Sequence, residues 1–282
     1  MFTALTDFFD IHDSIFVLTG AGVSTASGIP DYRDEKGDWK HSRPMDYRDF
    51  VAAHEARQRY WARSFIGWPR FQQARPNPAH VALARLEQLG RLAHTVTQNV
   101  DGLHQRAGSQ RLTELHGSLA SVECLACGAI IPRATMQHRL LASNPVLNHL
   151  SARVAPDGDA DLSGYDETDV RIPDCRRCGG TLKPQVVFFG ENVPRERVEE
   201  CYAALRRADA MLVLGSSLMV YSGFRFVREA LRLGMPVAAV NRGITRADDS
   251  LALKLESDCA SALNAVLTAF DNGAADSAQR EL

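Results

Sequence analysis

The chain has 282 residues, a formal net charge of −2 and globular proportions of hydrophobic (45%) and charged (23%) residues. This length predicts one sizeable core with a smaller module attached, and the composition excludes wholesale disorder. The balanced charge argues against nucleic-acid binding, and no apolar run reaches the roughly 20 residues that cross a bilayer. Because the first residues lack a signal-peptide pattern, we expect a cytoplasmic protein without nucleic-acid or membrane partners; the oligomeric state is left open.

Short apolar runs alternate with amphipathic stretches towards both ends of the chain. In chain order, the predicted strands are 15–19, 93–98, 186–189, 211–215 and 236–240. The helices predicted between them, where apolar residues recur at helical spacing, are 81–89, 195–208 and 223–233. Strands that alternate with helices predict an α/β fold whose parallel sheet is covered on both faces.

Two segments do not fit this alternation. Residues 34–75 are rich in aromatic side chains and predict a helical module. Residues 118–182 contain two cysteine pairs and a polar, acidic stretch, which predicts a small module inserted into the sheet domain. The sheet domain itself is then expected to comprise 1–33, 76–117 and 183–282.

Four of the six cysteines form two Cys-x-x-Cys pairs, each followed by glycine: Cys124 with Cys127, and Cys175 with Cys178. Four thiolates without an open-site histidine predict one closed, structural zinc site per chain. The alternative is two unrelated redox pairs. Cys201 lies in a predicted amphipathic helix, and its side chain is expected to belong to the core.

A glycine turn follows the first predicted strand. Gly20, Ala21 and Gly22 would let the backbone approach a pyrophosphate, whose charge the N–H groups of a helix N-terminus would meet. The full dinucleotide fingerprint requires a third glycine, and this chain has Thr25 there. The alternative is an ordinary tight turn from a strand to a helix.

Polar residues 98–101 end the second predicted strand, where open α/β sheets place ligand groups, and His116 follows soon after. A neutral imidazole at this place can act as a general base near pH 7. The alternative is a hydrogen-bonded structural histidine. The same alternative applies to His80, His94 and His104.

Seven sequence blocks occur in a fixed order over residues 20–243: GAGVSTASGIPDYR, TQNVDGLH, ELHGS, the two cysteine pairs, LKPQVVFFGE, GSS and VNRG. Together they resemble the sirtuins, which are NAD-dependent protein-lysine deacylases, and RYWARSFIGWPRF at 59–71 is similar to their class II branch. The resemblance implies a Rossmann-type large domain that binds NAD, a small zinc-binding domain, a helical module, and acylated-lysine proteins or peptides as substrates.

The resemblance also implies the role of individual residues. His116 is the catalytic base, and Asn99 and Asp101 supply hydrogen bonds in the catalytic pocket. A substrate peptide pairs with the strand-like stretch that contains Val187, Phe188 and Gly190. NAD contacts Gly20, Ala21, Gly22, Ile29, Asp31, Tyr32, Arg33, Gln98, Asn99, Val100, Asp101, Gly215, Ser216, Ser217, Asn241, Arg242, Gly243 and Cys259.

The implied reaction breaks the bond between nicotinamide and ribose, and the acyl-lysine oxygen captures the cationic sugar as an O-alkylimidate. His116 then activates a ribose hydroxyl, which takes the acyl group, while zinc plays no part in bond breaking. Two alternatives stay open: a protein mono-ADP-ribosyltransferase, and a non-catalytic module that binds NAD.

One pair of residues predicts the kind of acyl chain. Tyr60 and Arg63 are three residues apart in a predicted helix, so both side chains can reach one ligand group. In sirtuins that prefer acidic acyl chains, a pair of this type meets the distal carboxylate. The alternative is a core tyrosine beside one arginine of a solvated face.

Overall fold

The computed structural model describes residues 2–40, 44–149, 153–154, 160–161 and 169–280. Its larger layer is a six-stranded parallel sheet. In pairing order, the strands are β11 (Leu253–Leu255), β10 (Val237–Val240), β9 (Ala210–Leu214), β1 (Ile15–Thr19), β2 (Leu92–Thr97) and β3 (Leu112–Glu114). Strands β1 and β9 are buried at every position, as expected where helices cover both faces.

Alternate residues of β1 point to opposite layers of helices. Ile15 and Val17 pack in one core, and Phe16 and Leu18 pack in another. The first core is covered by α1 (Thr3–Ile11), α4 (Pro78–Gln88) and α9 (Cys259–Arg280), and the second by α7 (Arg195–Leu205) and α8 (Tyr221–Arg232). The predicted α/β fold with both faces of the sheet covered is confirmed.

A smaller layer is built from antiparallel strands in the order β5 (Ile130–Pro132), β4 (Gly117–Cys124) and β8 (Leu182–Val186). Helix α6 (Arg133–Ser143) follows β5, and β6 (Arg153–Val154) pairs with β7 (Ala160–Asp161). Helices α2 (Tyr47–Ala52) and α3 (His54–Gln73) join this layer through one shared core, which contains Phe50, Trp61, Phe65, Val122, Met136 and Leu140. The predicted helical and cysteine-containing segments therefore pack together, while the division of the chain into domains stays a prediction.

The prediction of a parallel strand over 186–189 was wrong. The strand at this place is β8, which ends at Val186 and pairs antiparallel with β4. The chain then turns at Gly190, where φ is +76°. Phe188 packs against the rings of Phe50 and Tyr60, with centroids 5.2 and 5.1 Å away. A short apolar run indicates a buried segment, but it does not indicate which sheet or core the segment belongs to.

Other differences concern short elements. The helices of segment 34–75 begin only at Tyr47, because residues 33–39 form a tight hairpin closed by a bridge between Arg33 and Trp39. Helix α5 (Leu103–Ala107) and the three-residue edge strands β3 and β11 are too short to give a periodic signal. Among the helices of the described residues, none combines the length and apolar character that a membrane span requires.

Candidate functional site

A cavity that is open to solvent lies at the carboxyl ends of the central parallel strands. Its lining comes from residues 20–22 and 24 after β1, residues 98–101 after β2 and residues 215–220 after β9. Residues 186–189 and Tyr60 contribute to it from the smaller layer. Loops from neighbouring parallel strands converge at this edge of a sheet, which is where α/β proteins bind ligands.

Sixteen of the predicted NAD contacts line this cavity, namely Gly20, Ala21, Gly22, Ile29, Asp31, Tyr32, Arg33, Gln98, Asn99, Val100, Asp101, Gly215, Ser216, Ser217, Asn241 and Arg242. Gly243 and Cys259 do not. Gly243 lies against the backbone of Glu35, which a side chain would strike. Cys259 is buried with its Sγ 3.8 Å from Val240 O, and burial raises the pKa of its thiol to about 12.

The glycines after β1 allow two loops to touch. A Cβ on Gly20 would lie 2.7 Å from Gly215 O, and a Cβ on Gly22 would lie 2.8 Å from Gly215 Cα. Gly20 N donates to Leu214 O, and Gly22 N donates to Gly215 O, both at 2.9 Å. Only glycine fits these positions, and the bare backbone lines the cavity as a pyrophosphate site requires.

A buried hydrogen-bond network lies beside this turn. Asn99 Nδ2 donates to Gly20 O at 3.1 Å and to Ser24 Oγ at 3.0 Å. The Ser24 hydroxyl in turn donates to Asp101 Oδ2 at 2.6 Å, and Leu103 N donates to Asp101 Oδ1 at 2.9 Å. Burial raises the pKa of Asp101, and these hydrogen bonds oppose that shift. Ser24 also lines the cavity and links Asn99 to Asp101, a role that no sequence motif indicates.

His116 lies just before β4 and is half-buried at the cavity. Its Nδ1 is 2.9 Å from Gln98 O, and its Nε2 is 2.7 Å from Ser222 Oγ. Because a carbonyl oxygen only accepts, Nδ1 carries the proton and the neutral ring accepts the Ser222 hydroxyl at Nε2. Desolvation, with smaller contributions from Arg197 and Arg225, lowers the pKa of His116 to about 4. The ring is therefore neutral near pH 7, with its basic nitrogen at Nε2.

The stretch after β8 runs along the cavity and is held from three sides. Val187 N donates to His116 O at 2.8 Å, and Tyr47 N donates to Phe189 O at 2.8 Å. Phe188 N donates to Glu191 Oε2 at 2.8 Å. Val187 and Phe188 line the cavity as predicted, and Gly190 lies beyond its lining. The backbone of this stretch is thus fixed next to the catalytic histidine that the sequence predicts.

The two residues of the predicted acyl-binding pair are placed differently. Tyr60 lines the cavity and is 3% exposed, with its ring against Phe50 and Phe188. Arg63 is half-buried on the same helix and does not belong to the cavity lining. Further aromatic and apolar residues, for which the sequence predicts no role in the site, line the cavity: Trp39, Pro44, Met45, Phe71, Phe189, Leu218 and Met219.

The four predicted metal-ligating cysteines meet at the end of the smaller layer, with all Sγ atoms within 4.8 Å of one another. Cys124 Sγ is 3.5 Å from Cys178 Sγ, and Cys127 Sγ is 3.8 Å from Cys175 Sγ. A tetrahedral zinc ion with bonds of about 2.3 Å needs thiolates about 3.8 Å apart. The donor set and its spacing therefore fit zinc, and the closed set of four thiolates fits a structural ion.

The other three histidines considered from the sequence, His80, His94 and His104, do not line the cavity. His80 and His104 are 0% and 1% exposed, and burial lowers their pKa values to about 4 and about 3. His104 Nε2 lies 3.0 Å from Thr19 Oγ1, beneath the turn that follows β1. His94 Nε2 lies 2.8 Å from Thr113 Oγ1 in the neighbouring strand. All of these contacts fit hydrogen-bonded structural histidines, which is the alternative given for them from the sequence.

Comparisons with known proteins agree with this geometry. The NAD-dependent protein deacetylase of Bordetella bronchiseptica is 56% identical over 265 residues, which cover 94% of this chain and 97% of that protein. The protein of the same description from Xanthomonas campestris pv. campestris is 57% identical over 260 residues, which cover 92% and 89%. A solved structure of Sir2 with a p53 peptide and NAD+ is 32% identical, with a TM-score of 0.77 and coverage of 96% and 99%.

A second solved structure, of Sir2 bound to an acetylated peptide, has a TM-score of 0.76 and 32% identity, again covering 96% of this chain and 99% of that one. The model of the Sir2 family matches residues 20–222. This match spans the glycine turn, the cysteine cluster and the stretch along the cavity. The chain belongs to the Sir2 family.

Proposed function

We propose that the protein is an NAD-dependent protein-lysine deacylase, which transfers the acyl group of an acylated lysine to ADP-ribose and releases nicotinamide. The observation that carries this proposal is the arrangement at His116. A basic Nε2, fixed by Gln98 O on the opposite ring nitrogen, shares one cavity with a bare glycine turn and with the stretch 187–189.

The residues around the cavity fit NAD. The close approach of Gly20 and Gly22 to Gly215 leaves a backbone surface that a pyrophosphate can reach, with no side chain in the way. Asn99 and Asp101 would orient the nicotinamide end, and Asn241 would orient the adenosine end. When bound, NAD supplies the ribose carbon that releases nicotinamide and the ribose hydroxyl that accepts the acyl group.

His116 would receive the proton of that hydroxyl at Nε2. The hydrogen bond from Nδ1 to Gln98 O keeps the ring in the tautomer with a free lone pair at Nε2, and the low pKa keeps the ring neutral at physiological pH. Ser222 occupies this lone pair in the free protein, so the substrate hydroxyl must displace the Ser222 hydroxyl. General-base catalysis of this kind contributes typically 10²–10⁴-fold to a rate.

The substrate would bind as an extended peptide beside residues 187–190, with the acyl-lysine directed into the cavity. The fixed backbone of Val187 and Phe188 and the aromatic wall at Tyr60 support this placement. Because Arg63 lies outside the cavity lining, we propose that the enzyme prefers neutral acyl chains. The acidic acyl chains predicted from the sequence are the untested alternative.

Zinc would be held by Cys124, Cys127, Cys175 and Cys178. It would tie the turn between β4 and β5 to the turn before β8, because two of these ligands precede β5 and two precede β8. No step of the reaction depends on it. The class II assignment and the cytoplasmic location are proposals that rest on the sequence.

The experiment that tests the proposed function is mass spectrometry of the products formed from NAD and an acetyl-lysine peptide. We expect nicotinamide, the deacylated peptide and O-acetyl-ADP-ribose; from the His116→Ala variant we expect at most about one nicotinamide per chain and neither of the other two products. ADP-ribosylated protein without acyl transfer would favour the mono-ADP-ribosyltransferase alternative. NAD binding without any product would favour the binding-module alternative.

A further inference from the structure

The glycine turn after β1 has no α-helix of its own to fix its shape. Ala21–Val23 and Thr25–Ser27 each form one short 3₁₀ turn, where the sequence predicted the N-terminus of a helix. The backbone hydrogen bonds of these turns end on the carbonyls of Gly20, Ala21, Ser24 and Thr25. Gly215 and Asn99 hold the first part of the turn, as described above, whereas Val23 O and Ser27 Oγ are bonded by another part of the chain.

Asn77 makes the contacts to Val23 O and Ser27 Oγ. Its Nδ2 donates to Val23 O at 2.8 Å and to Ser27 Oγ at 2.9 Å. Its Oδ1 accepts from Ala79 N at 2.9 Å, so the same side chain is the N-cap of α4. Because a carbonyl only accepts and a backbone N–H only donates, these contacts fix which end of the amide faces the turn.

The contact joins two firmly packed segments. Asn77 is 4% exposed and Val23 is 2% exposed. Val23 lies in the same hydrophobic core as Leu83 of α4 and Ile15 of β1. Two buried groups in such a core have little freedom to move apart, so the position of α4 determines the position of the turn.

We propose that Asn77 is a positioning residue for the dinucleotide: it holds Ala21 and Gly22 at the place where they meet the pyrophosphate. Asn77 does not line the cavity, and it lies 54 residues from Val23 in the sequence. The proposal rests on NAD binding as proposed above. It goes further, because it assigns the geometry of the turn to a residue outside the cavity lining.

The test is the variant Asn77→Asp. A carboxylate still accepts from Ala79 N and still caps α4, and aspartate is among the best N-caps. It cannot donate to Val23 O, so the turn loses this anchor, while Gly215 and Asn99 still hold its first part and the helix keeps its cap. We expect the Kd for NAD, measured by calorimetry on the folded protein, to rise by about 10- to 100-fold. The KM for the peptide should change by less than about twofold.

The chain offers a matched control in Asn144. This asparagine is 6% exposed, and its Nδ2 donates to Leu140 O at 2.9 Å and to Arg171 O at 2.8 Å, in the smaller layer. Asn144→Asp makes the same chemical change at similar burial, and Asn144 does not line the cavity. We expect it to lower the unfolding temperature and to leave the Kd for NAD within about twofold of wild type.

A second variant, Asn77→Ser, keeps a capping hydroxyl that is too short to reach the turn, and it covers the case in which Asn77→Asp does not fold. Weakened NAD binding in either Asn77 variant, with normal binding in Asn144→Asp, supports the proposal. Unchanged NAD binding in a folded Asn77 variant overturns it, and so does an equal loss in Asn144→Asp. Failure of the wild-type protein to bind NAD would instead refute the proposed function.

Discussion

Acidification should destabilise the protein through two histidines that lie behind the cavity. His80 and His104 are 0% and 1% exposed, with pKa values lowered by burial to about 4 and about 3. In the unfolded chain both return to a pKa of about 6.5. Between pH 6.5 and pH 4 the unfolded state therefore binds more protons than the folded state, and stability falls as the pH falls.

The size of this loss of stability follows from the pKa in the unfolded chain alone, because both pKa values in the folded protein lie well below 5. From pH 7 to pH 5 the loss is about 2 kcal/mol for each histidine and about 4 kcal/mol for the pair. The variant His104→Gln keeps a polar group for Thr19 Oγ1 and removes one titrating group. Its stability should fall by about 2 kcal/mol less than that of wild type over the same range.

Urea unfolding at pH 7 and at pH 5, followed by circular dichroism, measures these losses. The free energy of unfolding that the substitution itself costs is the same at both pH values, so it cancels in the difference between pH 7 and pH 5. Acid release of zinc affects wild type and variant alike. Equal losses in wild type and His104→Gln would refute the reasoning, because His104 would then not be a buried neutral histidine that resists protonation.

The remaining predictions concern the metal, the base and the acyl chain. Cys175→Ser should lose zinc and lower the melting temperature, because metal binding contributes on the order of 10 kcal/mol in small zinc modules; well below one zinc per chain in active wild-type protein would contradict this. His116→Tyr should lower kcat by about 10²–10⁴-fold and change NAD affinity far less; a variant that keeps a tenth of the wild-type rate would remove His116 from the mechanism. Since Arg63 lies outside the cavity lining, butyryl-lysine should react at least as fast as glutaryl-lysine, and Arg63→Met should change neither rate by more than about twofold. A glutaryl preference of about 10- to 100-fold that Arg63→Met erases would instead establish the pair as an acidic-acyl site.

The sequence predicts the features whose physical cause is local. Glycines after an apolar strand predict a tight turn at Gly20, although spacing alone leaves its ligand open. Two close cysteine pairs have few other uses, so the metal-binding cluster could be identified from spacing. The same holds for β1 and β9, whose continuous apolar runs indicate strands buried on both faces. The family resemblance added His116, which spacing alone leaves as one histidine among several.

Contacts between residues that are far apart in the chain could not be predicted from the sequence. The run 186–189 is apolar because Phe188 packs on α2 and α3, and nothing in its pattern distinguishes that packing from a place in the parallel sheet. Ser222 meets His116 across 106 residues of chain, and Asn77 meets Val23 across 54. Residues of these types usually cap helices or lie on the surface, so their roles became visible only once the elements were packed.

The most direct test of the central claim is the stoichiometry of products from NAD and an acetyl-lysine peptide, followed by quantitative mass spectrometry over one time course. Acyl transfer to ADP-ribose predicts that nicotinamide, deacylated peptide and O-acetyl-ADP-ribose form in equal amounts, and that multiple turnover to all three is lost in His116→Ala. Nicotinamide release without matching O-acetyl-ADP-ribose, or ADP-ribose attached to protein in its place, would contradict the account.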